Sequence, residues 1–461
     1  MKTFLATLLL VLGTAVSDAR QPNIIFLLTD DQRWDTLGCY GNDIIHTPNI
    51  DALSKRGITF DRAFVTSSIC APNRACILTG QYAARHGMWS FDKTLTPGQL
   101  SITYPALLKK SAGYRTGFIG KYGVGKPPGP DVFDFNRGFP GQGKFLMQKN
   151  GKTVHLTSVM ANQAIEFIDS CSSDQPFNLS VSFKAPHVQD SASVKSDQFP
   201  YDPRPEIANL YQNIQIPSPV TATTELYQRW PDFLKHTEAR SRWAVRYWSP
   251  GRTQQSLKGY YRLISGVDAA VGRIVAKLEK SGHADNTVII FTSDHGQYLG
   301  DYGFAGKWYP HDASVRVPLI IADPRLPQEH HNTRTKDFAL SIDLAATMLD
   351  LAGAEVPQQI QGRSLVPITR GRRPDDWRSD YYYEHHFVPR PEWNMSLPRN
   401  EGIRTARWKY IQYIDSDPLF EELYDLDIDP NETTNIAEDP TQSGRIQAFR
   451  TQLVKMRAGV Q

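Results

Sequence analysis

The sequence of 461 residues contains only four cysteines, carries little excess charge, and has no long apolar run after its N-terminal segment. So few cysteines exclude a disulfide-rich scaffold. A net charge of +3 gives no indication of a nucleic-acid partner, and the absence of a second long apolar run predicts no membrane span. What is present is typical of a globular chain, since 40% of the residues are hydrophobic and 21% are charged.

The N-terminus has the pattern of a cleaved targeting segment. Lys2 supplies a positive start, residues 3–16 are almost all apolar or small, and Ser17-Asp18-Ala19 forms a small-x-small cleavage site. We therefore expect residues 1–19 to be a signal peptide and the mature protein to be secreted or periplasmic. The alternative is a membrane anchor, for which the apolar run is short.

Strand and helix patterns alternate through the first 370 residues. The buried-strand patterns lie at residues 23–28, 177–183, 287–291 and 317–321. Helical spacing of apolar residues occurs at 264–278 and at 338–352, with Gly353 as a stop signal. This alternation predicts an α/β fold in which a large, mostly parallel mixed sheet is sandwiched by helices.

The pattern changes after about residue 371. Short strands rich in Tyr, Trp and Ile are predicted at residues 381–383, 402–414 and 421–426, followed by a helix at 444–456. We therefore predict a main domain at residues 20–370 and a small C-terminal α+β subdomain with an antiparallel sheet at residues 371–461.

Acidic residues and a histidine follow two of the predicted strands. Asp30 and Asp31 end the first strand, and Asp294 and His295 follow the strand at 287–291. Because ligands bind at the carboxyl ends of parallel strands, we expect these side chains to meet. Three carboxylates form a hard, anionic cage that suits Ca²⁺ or Mg²⁺. Taken alone, the Asp pair is also consistent with a helix N-cap.

A short cysteine motif, Cys70-Ala-Pro-Asn-Arg74, precedes Leu78-Thr79-Gly80. This C-x-P-x-R pattern before L-T-G resembles the signature of the sulfatase family, which belongs to the alkaline phosphatase superfamily. Further motifs of that family occur in family order at residues 28–32, 47–51, 113–117, 120–121, 184–187, 293–296, 306–308, 316–319, 422–426 and 429–432. The resemblance therefore extends over nearly the whole chain and implies that residues 20–370 are a catalytic sulfatase domain.

For Cys70, the resemblance implies a change of chemistry. In sulfatases this cysteine is oxidised to Cα-formylglycine by a formylglycine-generating enzyme, which we expect to be a partner during maturation. The hydrated aldehyde is an oxygen nucleophile that can attack sulfur and later expel sulfate by re-forming the carbonyl. Without the family context, Cys70 is also consistent with a small buried cysteine beside a proline turn.

The resemblance further implies a metal site with one Ca²⁺. Its ligands would be Asp30, Asp31, Asp294 and His295 together with the modified Cys70. Because many sulfatases carry Asn where His295 stands, the nitrogen ligand leaves Mg²⁺ or Mn²⁺ open.

An anion pocket is also implied by the resemblance. Lys121 and Lys307 would bind the sulfate, and Arg74 would orient the modified residue. His187 would contact the sulfate and protonate the leaving alcohol, a role that suits an imidazole near neutral pH.

One position departs from the family pattern. Gly123 stands where many sulfatases carry a histidine that acts as the base of the elimination step. Glycine cannot take a proton, and spacing does not decide between His86, His311 and a water as its substitute.

The sequence therefore predicts an exported sulfuric ester hydrolase whose substrate is a sulfated small molecule or, preferentially, a sulfated glycan. The alternatives are a phosphate or phosphonate monoester hydrolase on the same fold and a catalytically silent glycan-binding protein. Arginines interleaved with aromatic residues at 240–252 are candidates for glycan contacts. An amphipathic segment with aromatics packed on the core would show the same pattern.

Overall fold

A computed structural model describes residues 20–149, 151–189, 201 and 204–461 of the chain. The predicted signal peptide at residues 1–19 lies outside the described residues. The strands are β1 (Asn23–Asp30), β2 (Gly57–Phe64), β3 (Arg115–Lys121), β4 (Phe135–Phe139), β5 (Leu146–Lys149), β6 (Lys152–His155), β7 (Phe177–Pro186), β8 (Thr287–Ser293), β9 (Tyr298–Leu299), β10 (Ala305–Gly306), β11 (Leu319–Ala322), β12 (Thr333–Leu340), β13 (Asp380–His385), β14 (Asn400–Thr405), β15 (Trp408–Tyr413) and β16 (Phe420–Asp425).

The α-helices of the same residues are α1 (Pro48–Lys55), α2 (Cys70–Thr79), α3 (Ala83–His86), α4 (Pro97–Ser101), α5 (Tyr104–Ala112), α6 (Leu156–Asp169), α7 (Thr224–Gln228), α8 (Asp232–Lys235), α9 (Glu238–Arg246), α10 (Pro250–Lys280), α11 (Asp312–Val315), α12 (Asp343–Leu351), α13 (Val366–Thr369) and α14 (Ser443–Val460).

The main sheet has the strand order β12-β2-β11-β8-β1-β7-β3-β4. Strands β8, β1, β7, β3 and β4 run parallel to their neighbours in that series, and β12 runs parallel to β2. Strand β11 is antiparallel to both β2 and β8. The sheet is therefore mixed and mostly parallel, which confirms the predicted fold class. Every residue of the central strand β1 is buried, which explains why its sequence is a nearly continuous apolar run.

Helices cover both faces of this sheet. On one face, α10 buries a single apolar stripe that consists of Ile264, Val267, Val271, Ile274 and Leu278. This long helix starts at the Ser249 hydroxyl, which accepts the N–H of Arg252, and has Pro250 at its first position. On the other face, side chains of α2, α5 and α12 share a core with β2 and β11.

The C-terminal sheet has the antiparallel order β13-β14-β15-β16 and is covered by α14. The ring of Tyr410 stacks on Phe449 of that helix, with ring centroids 5.6 Å apart. Phe64 at the end of β2 stacks on Tyr381 of β13 at 5.1 Å, so the two sheets share one hydrophobic core. The predicted small antiparallel sheet is therefore present, and the domain boundary at residue 370 stays a prediction.

The predicted helix at residues 338–352 is wrong at its start. Residues 338–340 are the last three of β12 and pair with residues 62–64 of β2, and α12 begins only at Asp343. A short apolar run fits a buried strand as well as a helix, and here the neighbouring strand decides. Gly353 ends the segment as predicted, with φ of +67°.

The described helices include none that is both long and apolar enough to cross a membrane. All four cysteines are free thiols, so none of them forms a disulfide. Burial raises the pKa of Cys39 to about 12 and that of Cys171 to about 11, and it raises the pKa of Cys76 as well. These three thiols therefore stay protonated and unreactive at neutral pH.

A buried glutamate in β13 predicts that the stability of the fold depends on pH. Burial raises the pKa of Glu384 from 4.5 to about 8, although its Oε1 accepts the N–H of Ala84 at 2.8 Å. Because the folded-state pKa lies above the unfolded value, the folded state binds more protons between these two pH values. We expect the free energy of unfolding to fall as pH rises through this window, by at most about 1.4 kcal/mol per pH unit.

Glu384→Gln removes this titration while keeping an oxygen acceptor for the Ala84 N–H. Urea unfolding at both ends of the window should therefore show a flatter pH dependence for the variant than for the wild type. Glu329→Gln, at an exposed position, is the matched control and should keep the wild-type slope. Equal slopes for Glu384→Gln and wild type would contradict the prediction.

Candidate active site

Four strand ends bring charged side chains to one edge of the main sheet. Strand β1 ends at Asp30, β3 ends at Lys121, β7 leads into His187, and β8 leads into Asp294 and His295. These strands are parallel neighbours, so their carboxyl ends lie together. All five side chains are buried, and the structure thus brings together residues that are far apart in the sequence.

The turn after β1 is held in an unusual backbone conformation. Asp31 has φ of +67°, a left-handed value that is strained for a residue other than glycine. The hydroxyl of Tyr260 donates to the Asp31 carbonyl at 2.6 Å, and the Asp31 N–H donates to Asp294 Oδ1 at 3.1 Å. These contacts fix the turn so that the carboxylates of Asp30 and Asp31 both lie in the cluster at the sheet edge.

Cys70 is the first residue of α2 and is only 3% exposed. Its Sγ lies 3.3 Å from His295 Nε2, 3.3 Å from Lys307 Nζ and 3.7 Å from Asp30 Oδ1. The first turn of a helix carries free N–H groups and a partial positive charge. A group on residue 70 that carries negative charge is therefore favoured at this position.

Four buried side chains form a group of the kind that holds a metal ion. One ligand atom from each of Asp30, Asp31, Cys70 and His295 lies within 4.8 Å of the others. Two carboxylates with one imidazole suit a hard divalent cation better than a soft one. The two carboxylates therefore fit a hard divalent cation, and the identity of that cation stays a prediction.

The carboxylates of this group are paired with buried lysines. Lys121 Nζ lies 2.5 Å from Asp30 Oδ2, and Lys307 Nζ lies 2.6 Å from Asp31 Oδ1. Burial acts to raise the pKa of each carboxyl, but the charges of these lysines and of His187 outweigh it and hold both pKa values below the ordinary range. Burial acts to lower the pKa of each lysine, and the carboxylates reverse this and raise it. These two carboxylates and two lysines are therefore charged at neutral pH.

Arg74 binds Asp294 and ties it to the neighbouring strands. Its Nε and Nη2 both lie 2.8 Å from Asp294 Oδ2, while Nη1 donates to the Lys121 carbonyl at 2.8 Å and to Ser182 Oγ at 2.5 Å. Arg74 Nη2 also lies 3.6 Å from Asp30 Oδ2. Asp294 therefore stands beside the group of four ligand atoms, with one carboxylate oxygen held by Arg74.

Gly123 is in direct contact with the Arg74 side chain. It has φ of +78°, and a Cβ built at this position would lie 2.5 Å from Arg74 Cδ. Both the backbone conformation and the close approach require glycine here. The structure therefore explains why glycine occupies position 123, whatever the role of the histidine that many sulfatases carry there.

His187 presents one ring nitrogen to the carboxylate cluster. Its Nδ1 lies 2.7 Å from the Val188 carbonyl, which can only accept, so Nδ1 carries a proton. Its Nε2 lies 3.6 Å from Asp31 Oδ2 and 3.4 Å from Gln142 Nε2. The second nitrogen is therefore the one that faces the site.

Neither of the two histidines considered as a replacement base bonds to Cys70. His86 Nε2 lies 3.3 Å from Cys76 Sγ, and burial lowers the pKa of His86 to about 3. His311 lies between Glu422, at 3.0 Å, and a tyrosine hydroxyl in the core under the C-terminal sheet. Both imidazoles are thus bound to buried partners outside the cluster.

Four residues that support the site were not predicted from the sequence. Asn73 Nδ2 donates to the Asp294 carbonyl, and the Ser341 hydroxyl donates to Asn73 Oδ1 at 2.7 Å. Ser182 and Tyr260 bind Arg74 and the Asp31 carbonyl. Asn73 lies inside the cysteine motif, which is the only signal in the sequence that points to it. The other three residues lie far away in the sequence.

The arginine-rich segment predicted to contact glycans is mostly packed against the protein. Arg242 lies over the ring of Trp308, 4.9 Å from its centroid, and Trp308 directly follows Lys307 in the sequence. Arg246 and Arg252 are buried. Trp248 is exposed over 60% of its surface. A contact with a glycan at this segment stays a prediction.

Comparison with protein-family models matches residues 22–354 to the model described as Sulfatase. Residues 300–459 match the model described as N-sulphoglucosamine sulphohydrolase, C-terminal. N-acetylglucosamine-6-O-sulfatase of Bacteroides thetaiotaomicron is 31% identical, over 91% of this chain and 83% of that protein. Human N-acetylglucosamine-6-sulfatase is 29% identical, over 96% of this chain and 87% of that protein.

Solved structures share the fold. One is a protein in complex with its substrate D-glucosamine-2-N,6-O-disulfate, with a TM-score of 0.79 and 27% identity over 96% of this chain and 98% of that chain. The phosphonate monoester hydrolase of Agrobacterium radiobacter has a TM-score of 0.77 at 23% identity, over 95% of this chain and 96% of that chain. The second likeness concerns the fold alone.

Proposed function

The chain belongs to the sulfatase family, and on that basis we propose that it hydrolyses a sulfate ester on a glucosamine unit of a sulfated glycan. The position of Cys70 carries this proposal. Cys70 lies at the start of a helix, buried between Lys307, His295 and the Asp30 carboxylate. A nucleophile on residue 70 would therefore lie beside candidate metal ligands and beside a lysine that can bind an anionic substrate. A structural cysteine needs none of these neighbours.

Glucosamine is supported by the relatives that match nearly the whole chain. The bacterial and human proteins at 31% and 29% identity are both named as sulfatases of the 6-position of N-acetylglucosamine. The solved neighbour at 27% identity is bound to a glucosamine sulfated at N2 and O6. We therefore propose the 6-O-sulfate as the ester that is cleaved.

The proposed nucleophile is the formylglycine form of residue 70. This aldehyde, once hydrated, supplies a hydroxyl that no encoded side chain offers at this position. Lys307 Nζ, 3.3 Å from the Sγ of Cys70, is placed to donate hydrogen bonds to the oxygens of that group. The positive end of α2 favours the same charge distribution.

The proposed cation is one Ca²⁺, held by Asp30, Asp31, Asp294 and His295 together with residue 70. When bound, it supplies positive charge next to the sulfate oxygens. Because the pKa values of Asp30 and Asp31 are held low, these two carboxylates stay anionic and ready to bind a cation in mildly acidic solution.

The remaining residues of the proposed site act on the substrate. Lys121 and Lys307 are buried cations that stabilise the charge spread over the sulfate oxygens. His187 presents Nε2 to the site and, when protonated there, donates a proton to the departing alcohol. Arg74 holds Asp294 and the Lys121 backbone, so it positions the groups that bind sulfate.

Turnover of matched substrates tests the proposal. Protein matured with a formylglycine-generating enzyme should hydrolyse glucosamine 6-sulfate at least about tenfold faster, in kcat/KM, than the 3-sulfate, a difference of about 1.4 kcal/mol. An aryl phosphate or phosphonate ester should be a poorer substrate than the sulfate ester of the same alcohol. Preference for the phosphorus ester would instead establish the alternative hydrolase, and absence of all turnover would favour a glycan-binding protein.

Removal of divalent metal should abolish this activity. Prolonged chelation takes away the charge that balances the carboxylates around residue 70, and we expect less than about one hundredth of the turnover to remain, since such electrostatic stabilisation is worth about 10²-fold or more. Ca²⁺ should restore activity better than Zn²⁺, because the ligands are mainly oxygen. Full activity in protein shown by elemental analysis to be metal-free would disprove the cation site.

The substitution Gly123→His should lower turnover instead of restoring a base. The new Cβ meets Arg74 Cδ, and the left-handed backbone costs on the order of 1–3 kcal/mol for a residue other than glycine. Gly123→Ala introduces the same Cβ without an imidazole and is the matched control. Both variants should lose activity alike; higher turnover for Gly123→His than for wild type would show that the missing base limits the reaction.

A further inference from the structure

A second cleft, of about 270 Å³, lies at the junction of the two sheets. It is bordered by β2 and β12 of the main sheet, by the turn between β14 and β15, and by the chain that follows β16. Its charged lining residues include Asp61, Arg62, Asp312, Arg316, Lys336 and Arg404. None of the residues that line this cleft belongs to the proposed active site, so whatever the cleft binds is held by a separate set of side chains.

Two of the cations in the cleft lack an acidic partner. Arg62 has no carboxylate within ion-pair distance among the described residues; it lies over the ring of Phe338 at 5.6 Å, and its Nη1 reaches the Lys336 carbonyl only at 3.5 Å. The side chain of Lys336 is exposed and makes no ion pair or hydrogen bond in the described part of the chain. Arg62 and Lys336, on neighbouring strands, therefore bring positive charge to the cleft that no ion pair among the described residues neutralises.

The third cation, Arg404, is nearly buried. Its side chain is 9% exposed, and its Nε lies 3.6 Å from Asp312 Oδ1, too far for a hydrogen bond. This Nε has no hydrogen-bond acceptor among the described residues, although Nη1 bonds to backbone carbonyls of its own turn. A buried guanidinium N–H without an acceptor is costly, and an oxyanion in the cleft would satisfy it.

Asp312 lies near two arginines of the cleft, and each acidic residue of the cleft is also paired with a base outside it. The pairs are Asp61 with Arg334, Asp312 with Lys409, and Asp427 with Arg407. The fourth cation, Arg316, donates a hydrogen bond from Nε to the Asp61 carbonyl at 2.9 Å, and its Nη1 lies 3.8 Å from Asp312 Oδ2. Burial lowers the pKa of Arg62, and the charges of Arg404 and Arg316 lower it further, more than the nearby carboxylates raise it. Positive charge thus predominates within the cleft.

We propose that this cleft is a second oxyanion site that binds a sulfate group. Guanidinium groups match the geometry of a tetrahedral oxyanion through paired hydrogen bonds, and an ammonium group adds a point charge. The sulfate is carried on a sulfated glycan or is the free inorganic ion, since the recognising chemistry is the same for both. A volume of about 270 Å³ leaves room for such an ion, because a water molecule occupies about 30 Å³ in the liquid.

Sulfate binding by protein carrying Cys70→Ala tests the site without turnover. Crystals soaked in sodium selenate should show an anomalous peak between Arg62, Lys336 and Arg404. In solution, Arg62→Ala/Lys336→Ala in the same background should reduce the rise in melting temperature produced by sodium sulfate, because one of two ligand sites is lost. Lys110→Ala/Lys280→Ala removes the same charge from exposed positions outside the cleft and should leave the rise unchanged.

Isothermal titration calorimetry distinguishes the two sources of the sulfate. A sulfated oligosaccharide that binds the cleft at least about tenfold more tightly than inorganic sulfate identifies the glycan as the ligand, and equal affinities identify the free ion. No selenate peak in the cleft, or an equal sulfate response in both double variants, overturns the proposal. Lys336→Ala alone changes an exposed side chain and keeps the test valid if Arg62→Ala fails to fold. Failure of this test leaves the proposed hydrolysis unaffected, since activity is not the readout.

Discussion

Replacing Cys70 with alanine should reduce sulfate-ester hydrolysis by at least about 10⁴-fold, since removing a nucleophile from a hydrolase costs that much or more. Alanine cannot be converted to an aldehyde, and it also removes one of the four ligand atoms that lie within 4.8 Å of each other. Cys70 is the first residue of α2 and packs through a small side chain, so we expect the fold to persist. Steady-state kinetics with circular dichroism separates lost chemistry from lost folding.

Cys76→Ala is the matched control for Cys70→Ala. Cys76 lies in the same helix and is equally buried, but its Sγ contacts His86 and the Thr66 hydroxyl and not the charged cluster. We expect Cys76→Ala to lose some stability and to keep the wild-type kcat. If active wild-type protein carried only an unmodified thiol at residue 70 by peptide mass spectrometry, the proposed formylglycine would be wrong.

Replacing Lys307 with methionine should lower kcat by about 10²- to 10³-fold, the loss typical of removing one group that stabilises transition-state charge. Lys307 is 4% exposed and lies 2.6 Å from Asp31 Oδ1 and 3.3 Å from Cys70 Sγ. Methionine keeps the length of the side chain and removes its charge. The loss should fall mainly on kcat, because the charge on the sulfate oxygens grows during the reaction.

Lys409→Met supplies the comparison for Lys307→Met. Lys409 is also a buried lysine paired with a carboxylate, Asp312 at 2.6 Å, but it lies in the C-terminal sheet. The Lys409→Met variant should be less stable than the wild type, because a buried carboxylate loses its partner. The kcat of the folded variant should be unchanged. A similar fall in kcat for both variants would mean that Lys307 acts through the fold and not through the sulfate.

The sequence predicts those parts of the fold in which one periodicity dominates. The runs in β1 and β8 are strands with both faces covered, and the apolar stripe of α10 faces the core. Helix α2 carries Cys70, and all of its residues are buried, so none of its sides faces the solvent and its sequence shows no helical alternation of apolar and polar residues. Only the resemblance of its motif to the sulfatase signature marks that segment.

The candidate site divides in the same way. Asp30, Asp31, Asp294 and His295 are predicted to meet because parallel strands end at one edge. The hydroxyl of Tyr260 reaches the Asp31 carbonyl from the long helix α10, and no local pattern encodes such a contact. Side-chain hydrogen bonds across the fold depend on tertiary packing, which is also why spacing alone left the partners of His86 and His311 undecided.

The depth at which Cys70 lies implies an order of events for the proposed modification. The proposed maturing enzyme would have to bind the peptide around a thiol that is 3% exposed and lies in a helix with no exposed residue. In the folded protein this peptide is not accessible to an enzyme, so the proposed oxidation would have to occur before the chain folds. Protein that folds first would keep its thiol and would gain no activity from later exposure to that enzyme. The yield of active protein would then depend on the rate of modification relative to the rate of folding, and slower folding would increase that yield.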